Sequence, residues 1–111
     1  MEEYMKPEER VIVALDVSDL GQVKTLVTTL APHVACFKVG LELMTAFGGP
    51  RVVRLIHRLG GQVFYDGKFH DIPTTVARAS KAVSGLGVKM FNLHASSSKE
   101  AVAAAAANKG G

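Results

Sequence analysis

Cysteine is nearly absent from this sequence of 111 residues. The single cysteine, Cys36, excludes a disulfide within the chain and a metal site built from several cysteines. Because Cys36 lies in the apolar run at 34–37, we expect a buried, unreactive thiol rather than a nucleophile.

Long apolar runs are lacking as well. No run approaches the ~18 residues that a membrane-spanning helix needs, and residues 1–10 are too acidic and polar for a signal peptide. We therefore expect a cytoplasmic protein with no membrane partner. The 11 glycines and 4 prolines are too few for a collagen-like or linker sequence.

A dense block of one charge is also missing. The net charge is +3, and the lysines and arginines are scattered, so they form no basic block with aromatic residues interleaved in it. A nucleic-acid partner is therefore not expected, whereas a small anionic ligand is compatible with this charge. The composition, with 48% hydrophobic and 21% charged residues, is that of a globular protein. The length suits one small domain and excludes a complete (β/α)8 barrel of roughly 250 residues.

Short apolar runs alternate with helical patterns along the whole chain. The runs occupy residues 11–15, 34–37, 63–65 and 88–93, and helical spacing follows each of them, at 20–30, 50–59, 73–85 and 101–107. Residues 38–48 are less regular. This repeated order predicts an α/β fold of about four βα units with a parallel sheet, in one domain that covers residues 1–111. Ser97 and Glu100 have the spacing of a capping box, which predicts the start of the last helix.

Polar residues follow all four predicted strands. They are Asp16, Lys38, the group Asp66-Gly67-Lys68, and His94. A single charged residue after a strand is commonly the first loop residue. In a parallel sheet, however, the carboxyl ends of the strands meet at one edge, where α/β folds bind ligands. Four such positions in four strands therefore indicate a site.

The segment at 66–71 adds a more specific pattern. Asp66 and Lys68 are two residues apart, so on an extended strand they share one face, and Asp71 follows in the next loop. Two carboxylates flanking Lys68 would keep its ammonium protonated and oriented. Such a lysine can act as a general acid toward a carbanion. An ion-paired loop with no chemistry explains the same residues about equally well.

Four short strings, in this order, resemble those of the orotidine 5′-phosphate decarboxylase family. They are Ala-Leu-Asp at 14–16, Phe-Lys-Val-Gly at 37–40, Asp66-x-Lys68-x-x-Asp71-Ile72-Pro73-x-Thr75, and Phe-Asn-Leu-His-Ala at 91–95. The resemblance extends from about Arg10 to about Val102. It implies a (β/α)8 barrel that works as a homodimer and converts orotidine 5′-monophosphate to UMP, a step of pyrimidine biosynthesis, without metal or organic cofactor.

The resemblance also assigns roles to residues. Lys68 would protonate the pyrimidine carbon that loses CO2, and Asp66 would lie against the substrate carboxylate. Asp16 and Lys38 would bind the ribose hydroxyls, and Asp71, Ile72 and Thr75 would enter the partner subunit's site. The residues that the family pattern marks as catalytic are thus Lys38, Asp66, Lys68 and Asp71.

The length of the chain departs from this family. Four βα units are half of an eight-unit barrel, and the family's other half carries its phosphate-binding loops. We therefore predict the N-terminal half of a decarboxylase. One alternative is a sister decarboxylase of a keto-gulonate or hexulose phosphate, which uses Mg²⁺. Two features favour the orotidine 5′-phosphate decarboxylase over this alternative: Lys38, where the sister group has Glu, and the Ile-Pro-x-Thr string at 72–75. The other is a non-catalytic half-barrel.

Overall fold

The computed structural model describes residues 10–94 and 97–107. Within them it has four strands and five α-helices; two helices follow the second strand, and one follows each of the others. A short 3-10 turn, Ala31–His33, precedes the second strand. The strands are β1 (Ile12–Ala14), β2 (Cys36–Val39), β3 (Val63–Phe69) and β4 (Met90–Leu93). The helices are α1 (Leu20–Leu30), α2 (Leu41–Phe47), α3 (Gly49–Arg58), α4 (Pro73–Gly85) and α5 (Lys99–Ala107).

The strands form one parallel sheet in the order β1-β2-β3-β4. The register aligns Ala14, Lys38, Phe64 and Met90 in one row across the sheet. Because side chains alternate between the two faces of a strand, this row lies on the face opposite to Phe37. The parallel sheet of four βα units that the sequence predicts is confirmed.

The core lies between the sheet and the helices. Phe37, Val39 and Val63 of the sheet are fully buried against α1, α2 and α3. The helix residues in this cluster are Val23, Val27, Leu43, Val52, Val53, Leu55 and Ile56. A smaller cluster joins α4 to α5. Cys36 is buried as predicted, and this burial raises the pKa of its thiol.

Local signals predict several element boundaries correctly. The carboxylate of Asp19 accepts a hydrogen bond from the Gln22 N–H at 2.8 Å and caps α1, as expected of an aspartate at this position. The bounds of α4 agree with the predicted 73–85. The cap of α5 differs, because the Ser98 hydroxyl accepts from the Ala101 N–H at 3.0 Å. Ser97, which the capping-box spacing pointed to, instead donates to the Phe69 carbonyl.

Two elements differ from the predicted pattern. Helix α2 occupies the stretch that showed no regular periodicity; its 7 residues span only two turns, which is too short for a clear period. Strand β3 continues to Phe69 instead of ending near residue 65. Its pairing with β4 is irregular, since Tyr65 pairs with Phe91 and Phe69 pairs with Leu93.

This irregularity is a bulge that carries the polar group at 66–68. Three residues of β3 lie opposite Asn92 alone on β4. Within the bulge Lys68 has φ +50°, a left-handed conformation that non-glycine residues seldom adopt. The polar side chains of β3 are therefore presented by a distorted strand rather than by a regular one. No helix within the described ranges is long and apolar enough to cross a membrane.

Candidate active site

The site lies at the carboxyl-terminal edge of the sheet. Asp16 follows the end of β1 by two residues, Lys38 lies within β2, and Asp66 and Lys68 lie within β3. Asp66 lies two residues beyond the row formed by Ala14, Lys38, Phe64 and Met90. The βα repeat thus brings to one edge the strand-end residues that the sequence singled out.

The centre of this edge is an ion pair between Asp66 and Lys68. The Lys68 Nζ donates to Asp66 Oδ2 at 2.7 Å. The other oxygen, Oδ1, accepts from the Asn92 Nδ2 at 2.5 Å. The side chain of Asp66 is only 10% exposed, whereas that of Lys68 is 52% exposed. The carboxylate is therefore fixed at both oxygens, and the ammonium remains open to a ligand.

Two lysines and one neutral amide keep Asp66 ionised. The hydrogen bond from Lys68 has the largest effect in lowering the pKa of the Asp66 carboxyl. The hydrogen bond from Asn92 and the charges of Lys68 and Lys38 lower it further, while burial acts in the opposite direction. The net result is a pKa below the usual range of an aspartate, so the negative charge persists at neutral pH.

Asp71 does not complete the predicted pair of carboxylates around Lys68. Its Oδ1 accepts from the backbone N–H of Ile72 at 2.7 Å, and among the described residues Asp66 alone forms an ion pair with Lys68. The prediction that two carboxylates flank this lysine within one chain is therefore wrong. The reason is that β3 runs on past Lys68, and Asp71 instead binds the backbone of the turn that leads into α4.

Asp71, Ile72 and Thr75 form an exposed group at the start of α4. All three are solvent-exposed, and the apolar side chain of Ile72 is 65% exposed. A large apolar side chain at this exposure has most of its surface free for a contact outside the described chain.

The sequence assigned no role to Asn92, which contacts both charged residues of β3. Its Oδ1 accepts from the Lys68 backbone N–H at 2.8 Å, and its Nδ2 donates to Asp66. A polar residue among the apolar residues at 90–93 was the available signal. It could not show which strand the side chain reaches, because the contacts join residues 24 and 26 positions apart.

Two imidazoles border the site. The rings of His70 and His94 stack with centroids 4.6 Å apart and an angle of 8° between their planes. The backbone N–H of His94 donates to the Phe69 carbonyl at 2.8 Å. This hydrogen bond joins the ends of β3 and β4. Within residues 10–94 and 97–107, no group of three or more His, Cys, Asp or Glu side chains is close enough to hold a metal ion.

The arrangement supports proton transfer beside a fixed negative charge. An open ammonium next to a buried carboxylate can donate a proton to a bound ligand. A second cation, Lys38, lies near enough to influence Asp66. Oriented cations of this kind stabilise negative charge that develops on a substrate.

Comparison with known proteins identifies relatives along nearly the whole chain. The model of the orotidine 5′-phosphate decarboxylase / HUMPS family matches residues 9–110. The orotidine 5′-phosphate decarboxylase of Moorella thermoacetica is 52% identical over 103 residues, which are 93% of this chain and 40% of the relative. That of Geobacter sulfurreducens is 55% identical over 87 residues, which are 78% of this chain and 36% of the relative.

A solved structure shows the same architecture. The crystal structure of orotidine 5′-phosphate decarboxylase from Lactobacillus acidophilus matches with a TM-score of 0.74 and 35% identity, over 86% of this chain and 42% of that one. The chain thus spans about 40% of the length of the curated relatives it matches. Its four βα units correspond to the N-terminal half of a (β/α)8 barrel, which confirms the predicted fold class.

Proposed function

Because this chain belongs to the orotidine 5′-phosphate decarboxylase / HUMPS family, we propose that it supplies the proton-donating half of a site that decarboxylates orotidine 5′-monophosphate. The observation that carries the proposal is the pair formed by Asp66 and Lys68, whose polar atoms are 2.7 Å apart. The pair lies within the string at 66–75 that resembles the family's motif. The product would be UMP, as in pyrimidine biosynthesis.

In the proposed reaction Lys68 is the general acid. The bond between the pyrimidine ring and its carboxylate breaks, CO2 leaves, and the electron pair remains on the ring carbon. The Lys68 ammonium then gives its proton to that carbon and is reprotonated from solvent. Its positive charge also stabilises the carbanion before the transfer. Neither step requires a metal or an organic cofactor.

Asp66 has two functions in this proposal. It orients the Lys68 ammonium through the ion pair, and it faces the carboxylate of the substrate. The second function requires a carboxylate that stays ionised beside the substrate, and the lowered pKa of Asp66 supports it. Once CO2 has left, the attraction between Asp66 and the ammonium remains and the repulsion of the substrate ends.

Asp16 and Lys38 are proposed to bind the ribose hydroxyls. Both residues belong to the edge of the sheet that carries Asp66, and Asp16 is exposed. A carboxylate accepts hydrogen bonds from two hydroxyls, and an ammonium donates to them. The effect of Lys38 on the pKa of Asp66 supports a ligand position between these groups.

We further propose a homodimer in which Asp71, Ile72 and Thr75 enter the partner subunit's site. The exposure of the three side chains supports this assignment, as does the hydrogen bond of Asp71 to its own turn rather than to Lys68. The reaction is proposed to take place in the cytoplasm, where an unpaired thiol such as that of Cys36 remains reduced.

The test joins residues 1–111 to the remaining C-terminal part of the Moorella thermoacetica relative. We expect this joined protein to release CO2 from orotidine 5′-monophosphate, and the 111-residue chain alone to release none. Lys68→Ala should lower kcat of the joined protein by at least ~10²-fold, because an oriented proton donor contributes about 10² to 10⁴ in rate.

Lys81→Ala is the matched control, because Lys81 is an exposed lysine on α4; it should leave turnover unchanged. Normal turnover in a folded Lys68→Ala variant would contradict the role of this lysine. Mg²⁺-dependent conversion of a sugar phosphate, without conversion of orotidine 5′-monophosphate, would contradict the proposed substrate.

A further inference from the structure

Asn92 bridges the two charged residues of the bulge. On β4 it is the one residue opposite three residues of β3. Its side-chain oxygen accepts from the Lys68 backbone N–H at 2.8 Å, and its side-chain nitrogen donates to the Asp66 carboxylate at 2.5 Å. One amide group therefore binds the backbone of one residue and the side chain of the other.

The backbone of Lys68 requires such a support. Its φ of +50° lies in the left-handed region, which is unfavourable for a residue with a side chain because its Cβ comes too close to the following carbonyl oxygen. Its N–H binds the side chain of Asn92 rather than a carbonyl of β4. In this conformation the Lys68 ammonium reaches Asp66 at 2.7 Å.

We propose that Asn92 is a positioning residue, whose amide holds the backbone of Lys68 and the carboxylate of Asp66 in the geometry that brings their charges together. Its importance for decarboxylation rests on the function proposed above, whereas the bridge itself does not. The bridge can therefore be tested by measurements that do not use turnover.

The amide is the group that this bridge needs. It combines one acceptor and two donors in a side chain of this size, whereas aspartate has acceptors and leucine has neither. Asn92→Asp keeps an acceptor for the Lys68 N–H but replaces the donor to Asp66 by a second negative charge. Asn92→Leu keeps the approximate volume and removes both hydrogen bonds.

The composition of the chain makes the carboxylate easy to observe. Its four aspartates are Asp16, Asp19, Asp66 and Asp71, so the chain labelled with ¹³C at aspartate carboxyls gives four signals, each followed from pH 2 to 7. Asp66→Asn identifies the Asp66 signal by its loss. Asn92→Asp adds a fifth signal from the introduced carboxyl, so Asp66→Asn is also made in that background to identify the Asp66 signal. In every variant the signals of Asp16, Asp19 and Asp71 report on whether the remaining structure is unchanged.

Asn92→Asp should raise the titration midpoint of Asp66 by about one pH unit or more, a tenfold change in proton concentration, because like charges disfavour ionisation. The charges of Lys68 and Lys38 remain and limit the rise. Asn92→Leu should raise the midpoint as well. Gln62→Glu is the matched control: the same amide-to-acid change at the exposed residue that precedes β3 should leave the midpoint in place.

The backbone half of the bridge has its own signal. In Asn92→Leu the Lys68 amide proton should move upfield, because it loses its acceptor, whereas in Asn92→Asp it should stay downfield. The chain has two asparagines, Asn92 and Asn108. In the unaltered chain the chemical shifts of the Asn92 side-chain N–H groups should change with pH, with the same midpoint as the Asp66 carboxyl. This measurement uses no variant, so it does not depend on whether a variant folds.

An Asp66 midpoint that is the same in the unaltered chain and in folded Asn92→Asp and Asn92→Leu would overturn the proposal. So would Asn92 side-chain signals that ignore the protonation of Asp66. Because neither reading depends on decarboxylation, an inactive joined protein with the expected titrations would disprove the proposed function alone.

Discussion

Asp66 is a buried carboxylate whose charge is compensated on both oxygens. A buried charge without partners is strongly unfavourable, but Asp66 accepts from Lys68 and Asn92. The partners hold its pKa below the range of a free aspartate. The unfolded chain therefore takes up a proton at a higher pH than the folded chain does, so ionised Asp66 stabilises the fold.

This linkage predicts how Asp66→Asn depends on pH. The stabilisation is complete above the pKa of the unfolded state, about 3.9, and is lost as the pH falls through the lower pKa of the folded state. We expect Asp66→Asn to lower the free energy of unfolding by about 1–3 kcal/mol at pH 7, with the difference shrinking below about pH 4. Urea unfolding at pH 2–7 measures it.

Asp16→Asn is the control for Asp66→Asn, since it removes an exposed carboxylate near the same edge. It should change the free energy of unfolding by less than about 0.5 kcal/mol at pH 7. If Asp66→Asn lowers the free energy of unfolding by the same amount at every pH down to 2, then the charge of Asp66 contributes nothing to the stability of the fold.

At the level of elements, α3 packs its first residue directly on β3. Gly49 is buried at the N-terminus of α3, and a Cβ placed there would overlap with the Tyr65 hydroxyl and lie 3.0 Å from two ring carbons. Burial of Tyr65 itself raises the pKa of its hydroxyl. A glycine is thus required here by a close approach between a helix and a strand rather than by backbone conformation.

Gly49→Ala should destabilise the chain by about 1–3 kcal/mol, because a Cβ forces α3 away from β3 in a packed core. Thermal or urea unfolding measures the change. Tyr65→Phe in the same chain removes the overlapping oxygen and should restore part of the loss.

Gly85→Ala is the matched control, since Gly85 ends α4 and a Cβ there meets nothing within 4 Å. It should be neutral or stabilising by up to about 1 kcal/mol. Equal effects of the two substitutions would mean that the contact with Tyr65 does not limit residue 49.

At the level of the whole molecule, the described sheet ends at β1 on one side and at β4 on the other. Strand edges with free backbone groups favour pairing with another chain. Large apolar side chains are exposed at both ends of the sheet: Val11 by 47%, Ile12 by 44% and Met90 by 38%. In a closed barrel such edges are absent, so this surface favours contact with further polypeptide.

We therefore expect the 111-residue chain to associate with itself in solution. Light scattering should give a mass of more than one chain, and Ile12→Lys with Met90→Lys should lower it. Ile72→Lys tests the proposed dimer contact in the same way. Val102→Lys, at a comparably exposed position on α5, should have no effect. A single-chain mass at all concentrations would contradict both the open-sheet contact and the dimer.

Local patterns determined much of this fold. Apolar runs alternating with helical spacing were sufficient to predict four parallel βα units, because the two periodicities depend on neighbouring residues. The beginnings of α1 and α4 are also local, because the side chain of Asp19 caps the first turn of α1 and Pro73 occupies the first turn of α4. Parallel order in turn predicted that Asp16, Lys38, Asp66 and Lys68 meet at one edge. Their chemical roles stay predictions until they are measured.

The tertiary structure decided the details that make this edge a site. Three of these details depend on the pairing of β3 with β4: the bulge at 66–68, the positive φ of Lys68 and the bridge by Asn92. The residues that the bridge joins are 24 and 26 positions apart in the sequence. The same pairing left Asp71 on its own turn instead of beside Lys68. Spacing along the chain specifies which residues share a strand or a helix face, but a hydrogen bond between strands depends on register, and only the packed sheet sets the register.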